Sequence, residues 1–267
     1  MIVTAPAKPP EVESSHWYSR AGVPCHQMTT KTGGLRPTDL RDAKRLGLVP
    51  SVTTVLSVLA KGALTTWMVR QGILAALALP RLPGESDSEF HARIMVDSRA
   101  QGKAAAEEGT RIHDACEAGM NGGYYPQQYA LHVAGAMREL QKLFPTVSDW
   151  KAEESFSHVS GYGGKVDIYS PSTGIVVDYK TKDGDFSDGK KLAYDQNYQL
   201  AAYQAGLLLP LSVCANIFVS RTHPGSVASH VWKLTDVEHG RRVFDNALTL
   251  WKLLKNFDSS YSEEPPK

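Results

Sequence analysis

The sequence predicts an α/β fold: a mixed sheet core flanked by helices, with a mainly helical N-terminal region. Three observations carry this. Up to about residue 145, capping and stop residues bracket helical segments. Beyond it, short runs rich in β-branched and aromatic residues are separated by Gly, Pro and Ser turns. With the helices between them, those runs give the order β-β-β-α-β-β-α, which suits one mixed sheet with the N-terminal helices laid over it.

The elements follow in order. The first residues, with the stretch APAKPPEVE, read as a disordered tail. From Trp17 to Pro50 the chain is rich in Gly, Pro, Thr and basic residues, and a short helix is expected at Thr38–Leu46, capped by Thr38 or Asp39. Arg20, Lys31, Arg36, Arg41, Lys44 and Arg45 suit either a solvated surface or a phosphate-contacting arm. Ser51 can cap a helix over Val52–Leu59, and Ala63–Leu79 forms another that ends at Pro80. After a turn at Gly84–Asp87, Ser88 to about Met120 reads as one long helix or as two, interrupted at Gly102 or Gly109. Asn121-Gly122-Gly123 stops it, and Gln127–Leu143 is a further helix.

Strands are expected at Trp150–His158, Lys165–Tyr169 and Gly174–Lys180, then a helix at about Tyr194–Leu208. Strands at Cys214–Ser220 and Ser229–Leu234 precede a last helix near Val237–Asn256, whose Val243, Phe244, Leu248, Trp251 and Leu254 form a core face. The expected division is a tail at 1–16, a helical region at 17–145, a sheet-and-helix core at 146–257 and a flexible end at 258–267.

Composition excludes little. With 267 residues the chain can bury a substantial core, and 29 Lys plus Arg against 28 Asp plus Glu argue against non-specific coating of a nucleic-acid duplex. A local basic patch that grips a few phosphates remains compatible with that balance. Cys25, Cys116 and Cys214 are widely spaced and form no CxxC pair, so neither a disulfide framework nor a zinc or iron–sulfur cage is expected. No apolar run approaches the roughly 20 residues of a membrane span, and no secretory or transit pattern opens the chain, which makes the cytoplasm the expected location.

The chemistry concentrates in Gly163-Gly164-Lys165-Val166-Asp167-Ile168-Tyr169 and Ile175-Val176-Val177-Asp178-Tyr179-Lys180-Thr181, joined by a turn at Pro171–Gly174. The turn places the two strands side by side. The strand period of two puts Val176, Asp178 and Lys180 on one face and Ile175, Val177 and Tyr179 on the other. Charges on the face of an apolar strand are costly unless a salt bridge, a metal or water meets them. Phosphodiester hydrolysis accounts for such a set. Asp167 and Asp178 would hold one or two hard divalent cations, and Lys180 would orient a water or offset charge on the phosphoryl oxygens. The Tyr179 backbone carbonyl, between Asp178 and Lys180, could be a further oxygen ligand.

Asp167 followed by Asp178-Tyr179-Lys180 resembles the PD-(D/E)XK nuclease motif, and GGKVDIY…VVDYKT resembles its RecB-like exonuclease branch. Gln199-Leu-Ala-Ala-Tyr203 is similar to that branch's QxxxY element, and Gly109-Thr110-Arg111-Ile112-His113 lies upstream where the branch carries a histidine metal ligand. Pro50 to Leu56 resembles the first helix of phage and mitochondrial exonucleases of this branch, and the resemblance spans about Pro50 to Phe218. It lacks the four cluster cysteines of the CRISPR-associated relatives, so no iron–sulfur cluster is implied.

The resemblance implies a restriction-endonuclease-like core and a Mg2+- or Mn2+-dependent DNA exonuclease. Asp167, Asp178 and Lys180 would be catalytic, and His113, Asp167, Asp178 and the Tyr179 carbonyl would ligate the metal. Gln199 and Tyr203 would support the site. The expected partners are DNA, single-stranded or with free ends, and a recombination protein, with no membrane. A structure- or site-specific endonuclease with the same centre is the nearest rival. A DNA-binding module without activity is another, and a small-molecule hydrolase ranks last. Four other features have plainer expected roles. Glu154 is either a carboxylate behind the site or a solvated strand residue, and Asp183, Asp185 and Asp188 read as an exposed turn. Trp67 is expected in the core with Arg70 solvated, the alternative being a stacking platform and phosphate contact for a single strand.

Overall fold

The computed structural model describes residues 16–60, 62–189 and 191–262. The expected tail at 1–16 lies almost wholly outside them. The described residues form two compact units, one within residues 60–111, the other from residues 16–59 and 112–262. The expected boundary at residue 145 is not among these divisions, because the helix before it packs into the same core as the sheet.

The larger unit begins with two small ribbons that sequence reasoning did not foresee. Strand β1 (Trp17–Tyr18) pairs antiparallel with Val49 and Pro50, while β2 (Gln27–Thr29) and β3 (Leu35–Pro37) form an antiparallel hairpin. Strands of two or three residues carry too few side chains for alternation to register. Helix α1 (Leu40–Leu46) starts where expected, with Asp39 accepting from the Arg41 and Asp42 N–H groups, and it stops at Gly47 in the left-handed conformation. Strand β4 (Val49–Pro50) closes on β1. Helix α2 (Val52–Leu56) is capped by Ser51, whose Oγ accepts from the Thr54 N–H, and ends sooner than predicted, at a turn through Ser57.

The smaller unit holds α3 (Gly62–Ala78) and the first part of α4 (Asp87–Met120). Ser86 and Glu89 exchange backbone-to-side-chain hydrogen bonds at the head of α4, a capping-box pattern. Helix α4 runs unbroken through Gly102 and Gly109. One glycine costs a helix only about 1 kcal/mol, which 34 residues of helix absorb. Within this unit Gly102 lies against the Trp67 ring, yet Trp67 stays 42% exposed, so its expected place in the core is corrected to a partial packing contact.

From Ile112 on, α4 belongs to the larger unit. A short 3-10 turn at Gln127–Tyr129 leads into α5 (Ala130–Leu143). Then come β5 (Lys151–His158), β6 (Tyr162–Tyr169), β7 (Val176–Lys182), α6 (Asn197–Gly206), β8 (Cys214–Ser220), β9 (Val227–Trp232) and α7 (Leu234–Lys255). The sheet order is β5-β6-β7-β8-β9, with every pair antiparallel except β7–β8, which is parallel. This is the mixed α/β architecture that the element order predicted.

Both sheet faces are covered. Val176, Cys214 and Phe218 pack with Leu200 of α6 and Phe244 and Trp251 of α7, while Val177, Ile217 and Val219 pack with Ile112, Val133 and Leu140. Strand β8 is therefore buried at every residue and reads as a nearly continuous apolar run, as a two-sided strand must. On α7, Phe244, Leu248 and Trp251 form the expected core face. Leu254, in the last turn of the helix, is 65% exposed, so its expected place on that face is corrected. The expected flexible end at 258–267 is corrected over its described part. Ser259 is buried with its Oγ donating to Gly161 O at 2.6 Å, and the Tyr261 N–H donates to Val159 O at 3.0 Å. Residues 263–267 lie outside the described residues.

Candidate active site

Strand β6 is paired to β5 from Tyr162 to Val166 and again at Ile168 and Tyr169, with a break at Asp167 opposite Glu153, and β7 is paired along its whole length to β8. Between β6 and β7 only two pairs form, Tyr169↔Val176 and Ile168↔Val177. The next residues along that register are Asp167 and Asp178, and there the ladder stops. The Asp167 carboxylate replaces the missing strand bond, its Oδ2 accepting the Tyr179 N–H at 2.8 Å. In a strand the N–H and C=O of one residue point to the same edge, so the Tyr179 carbonyl also faces the side where β6 has parted.

The period-two reading holds along β7. Val176 lies in the core shared with α6 and α7, and Val177 and Tyr179 lie in the core shared with α5. Asp178 is 3% exposed in its side chain, and Lys180 Nζ stands 2.7 Å from both its Oδ1 and its Oδ2. A third residue joins them. Asn216, opposite Asp178 on β8, donates from Nδ2 to Asp178 Oδ2 at 2.8 Å, while its own Oδ1 accepts from Trp232 Nε1 at 2.8 Å. Sequence reasoning did not single out Asn216 or Trp232. The available signal was one amide in the otherwise apolar run of β8, a polar group that burial tolerates only when it is hydrogen-bonded.

Across the gap, His113 on α4 brings Nδ1 to 3.6 Å from Asp167 Oδ2, and its ring meets Tyr179 edge-on at 6.1 Å. Burial and then the neighbouring Asp178 charge push the Asp167 carboxyl up to about 6; His113, Lys180 and the Tyr179 N–H pull the other way. The Tyr179 phenol is buried with no hydrogen-bond partner, and burial raises it well above its ordinary range. The Cys116 thiol is pushed up to about 12 by burial and then by Asp167.

Gln199 and Tyr203 share one face of α6, and Gln199 Nε2 donates to Tyr203 Oη at 2.7 Å. Burial, then the Asp178 charge, raises the Tyr203 phenol well above its ordinary range, which puts it in the electrostatic reach of the carboxylates. Its ring packs against Phe156, and Gly164 leaves the space: a Cβ there would stand 2.7 Å from Tyr203 Cε1. Among the described residues the recorded hydrogen bond of this pair is to each other and not to the Asp178–Lys180 strand.

The structure thus brings together Asp167, Asp178, Lys180, His113 and Tyr179, with Tyr203 nearby. Among the described residues no group of three or more His, Cys, Asp and Glu is arranged as a ready-made metal cage. Two pairs stand instead, His113–Asp167 and Lys180–Asp178. Glu154 is exposed on β5 and hydrogen-bonds with the Tyr169 phenol. In the acidic turn, Asp183 pairs with Arg221 at 2.8 Å and Asp185 accepts from Ser187 and Ser226. Much of the basic N-terminal cluster is engaged within the fold. Arg36 and Arg45 pair with Asp42, and Lys44 donates to Asn256 O.

No family model matches this chain, and no curated protein matches it. Twelve chains of solved structures do. One, named SSO0001, is 15% identical over 72% of this chain and 88% of its own, with a TM-score of 0.30. Another is a phage-related exonuclease from Haemophilus somnus 129PT, 13% identical over 70% of this chain and 93% of its own, also at 0.30. At that TM-score these likenesses support nothing about the chemistry of the site. Fold and site define a mixed α/β protein with a carboxylate–lysine centre at a parting of two strands. Among the described residues no helix is long and apolar enough to cross a membrane.

Proposed function

We propose that the chain is a Mg2+- or Mn2+-dependent DNA nuclease that works from a DNA end, with a restriction-endonuclease-like core of the PD-(D/E)XK kind. The observation that carries the reading is the parting of β6 and β7 at Asp167 and Asp178, with Lys180 against the second carboxylate. The donor set fits a hard divalent cation. The Asp167 carboxylate, with the His113 imidazole beside it, is desolvated and feels the Asp178 charge, which disfavours its ionisation; a divalent cation held by these residues would offset that repulsion. His113, Asp167, Asp178 and the Tyr179 carbonyl would hold it. No iron–sulfur cluster belongs to this reading.

A bound Mg2+ or Mn2+ supplies the charge that polarises the phosphodiester and activates the attacking water. The rest falls to the chain. Lys180 Nζ, which stands against Asp178, would orient the water and meet charge developing on the phosphoryl oxygens. Tyr179 keeps Asp167 aimed into the gap through its N–H. The Gln199–Tyr203 pair supports the α6 side of the site.

The expected setting is cytoplasmic recombination, repair or replication of phage or bacterial DNA, alongside a recombination partner protein. Asp178 is already met within the fold by Lys180 and Asn216, which favours a second reading, a DNA-binding module without cleavage. End-labelled linear and sealed circular DNAs, incubated with Mg2+ or Mn2+, separate these. Degradation of linear DNA with circles surviving, abolished by Lys180→Ala, supports the exonuclease. Cutting of circles supports an endonuclease with the same centre. A Lys180→Ala protein as active as wild type overturns the proposed chemistry, and DNA binding without metal-stimulated cleavage leaves the binding module.

A further inference from the structure

We infer that Asn216 is a positioning residue of the nuclease centre, oriented by Trp232, which commits one oxygen of Asp178 to the protein and leaves the other for a cation. The inference rests on the function proposed above. It starts from an oddity of β8, where Asn216 is wholly buried among Ala215, Ile217 and Phe218 in the middle of the sheet. An amide there costs free energy unless its bonds are made, and an apolar residue would avoid the cost. Each recorded bond of this amide has a bearing on Asp178. Nδ2 donates to Asp178 Oδ2 at 2.8 Å and lies 3.3 Å from the Asp178 carbonyl.

Amide oxygen and nitrogen are distinguished by what surrounds them. Here the Trp232 indole can only donate, and its Nε1 stands 2.8 Å from Asn216 Oδ1. The amide oxygen is therefore turned toward β9 and the NH2 toward Asp178. Were the amide reversed, an oxygen would face a buried carboxylate and an N–H would face another N–H. Trp232, Asn216 and Asp178 thus form a one-way relay across three strands, ending at Lys180. Asp178 Oδ2 is held from behind by the amide, while the Lys180 ammonium stands in front, 2.7 Å from both oxygens, and is the partner recorded for Oδ1. Displacing one lysine exposes Oδ1 to a cation; Oδ2 stays tied to the sheet. Outer partners of this kind, when removed, typically cost ten- to a hundredfold in metal affinity or activity.

The test compares the full-length wild type with Asn216→Leu and Trp232→Phe. Mn2+ binding is measured by titration calorimetry without DNA, folding by thermal melting, and cleavage of end-labelled linear DNA as kcat and KM separately. Asn216→Leu is expected to melt as a folded protein, bind Mn2+ at least tenfold more weakly and lose kcat with KM for DNA little changed. Trp232→Phe keeps a ring in the core but frees the amide to turn, and is expected to weaken Mn2+ binding severalfold. Wild-type Mn2+ affinity and kcat in a folded Asn216→Leu protein would overturn the inference while leaving the nuclease reading intact. If Asn216→Leu does not fold, Trp232→Phe decides, and unchanged Mn2+ affinity there overturns it. A wild type that neither binds Mn2+ nor cleaves DNA removes the nuclease reading and this inference together.

Discussion

Replacing Asp167 by asparagine should stabilise the protein at neutral and alkaline pH when a chelator keeps divalent ions away. The carboxyl is raised from 3.8 to about 6, first by burial and then by Asp178. Its side chain is only 19% exposed, so solvent screens little of this. Above pH 6 the folded state must hold a charge it disfavours. At about 1.4 kcal/mol for each pH unit between folded and unfolded values, that costs up to about 3 kcal/mol. The sign follows from proton binding: between pH 4 and 6 the folded form holds the proton and the unfolded form does not, so this contribution to stability is greatest below about pH 4 and is lost as pH rises through about 6. Asparagine keeps an oxygen to accept the Tyr179 N–H and carries no charge at any pH. Urea unfolding with EDTA should therefore show Asp167→Asn more stable than wild type at pH 8, by up to about 3 kcal/mol, with the gap narrowing toward pH 4. A variant less stable than wild type at pH 8, or a difference that ignores pH, would refute the picture of two carboxylates crowded by burial.

Two further outcomes test the frame around the site. Gly206→Ala should lose about 1–3 kcal/mol despite alanine's better helix propensity, because the added Cβ would stand 2.0 Å from Phe156 Cε2; a thermal melt at or above the wild-type midpoint would show that the α6–β5 contact is looser than described. Asp149 is held down to about 2 by the Ser170 hydroxyl and the Ser172 N–H. A lowered carboxyl stabilises above its unfolded value and stops doing so as pH falls through its folded value, so Asp149→Ala should unfold more easily at pH 6 and match wild type near pH 2, read from urea midpoints.

Local chemistry was legible where it is periodic or capped. The alternation Val176–Asp178–Lys180 against Val177–Tyr179 needs only the two-residue repeat of a strand, and the two sheet faces receive these residues as that repeat requires. Asp39 and Ser51 cap their helices because a side-chain oxygen beside free N–H groups is a local event. The nearness of Asp178 and Lys180 was legible through the strand period, and that of Asp167 through the turn that joins its strand to theirs.

What the chain alone determined, then, is the kind and order of the elements and the side of β7 on which its charges lie. Other features arose only in three dimensions. His113 stands 3.6 Å from Asp167, 54 residues away in sequence, a meeting that no local pattern announces. The parting of β6 from β7 depends on each strand's other neighbour holding it more fully than they hold each other. Asn216 showed in sequence only as one amide in an apolar run, because an asparagine's worth lies in which partner faces it. Folding places Asp178 on one side of its amide and Trp232 on the other, and so gives one buried polar residue a reason to be there.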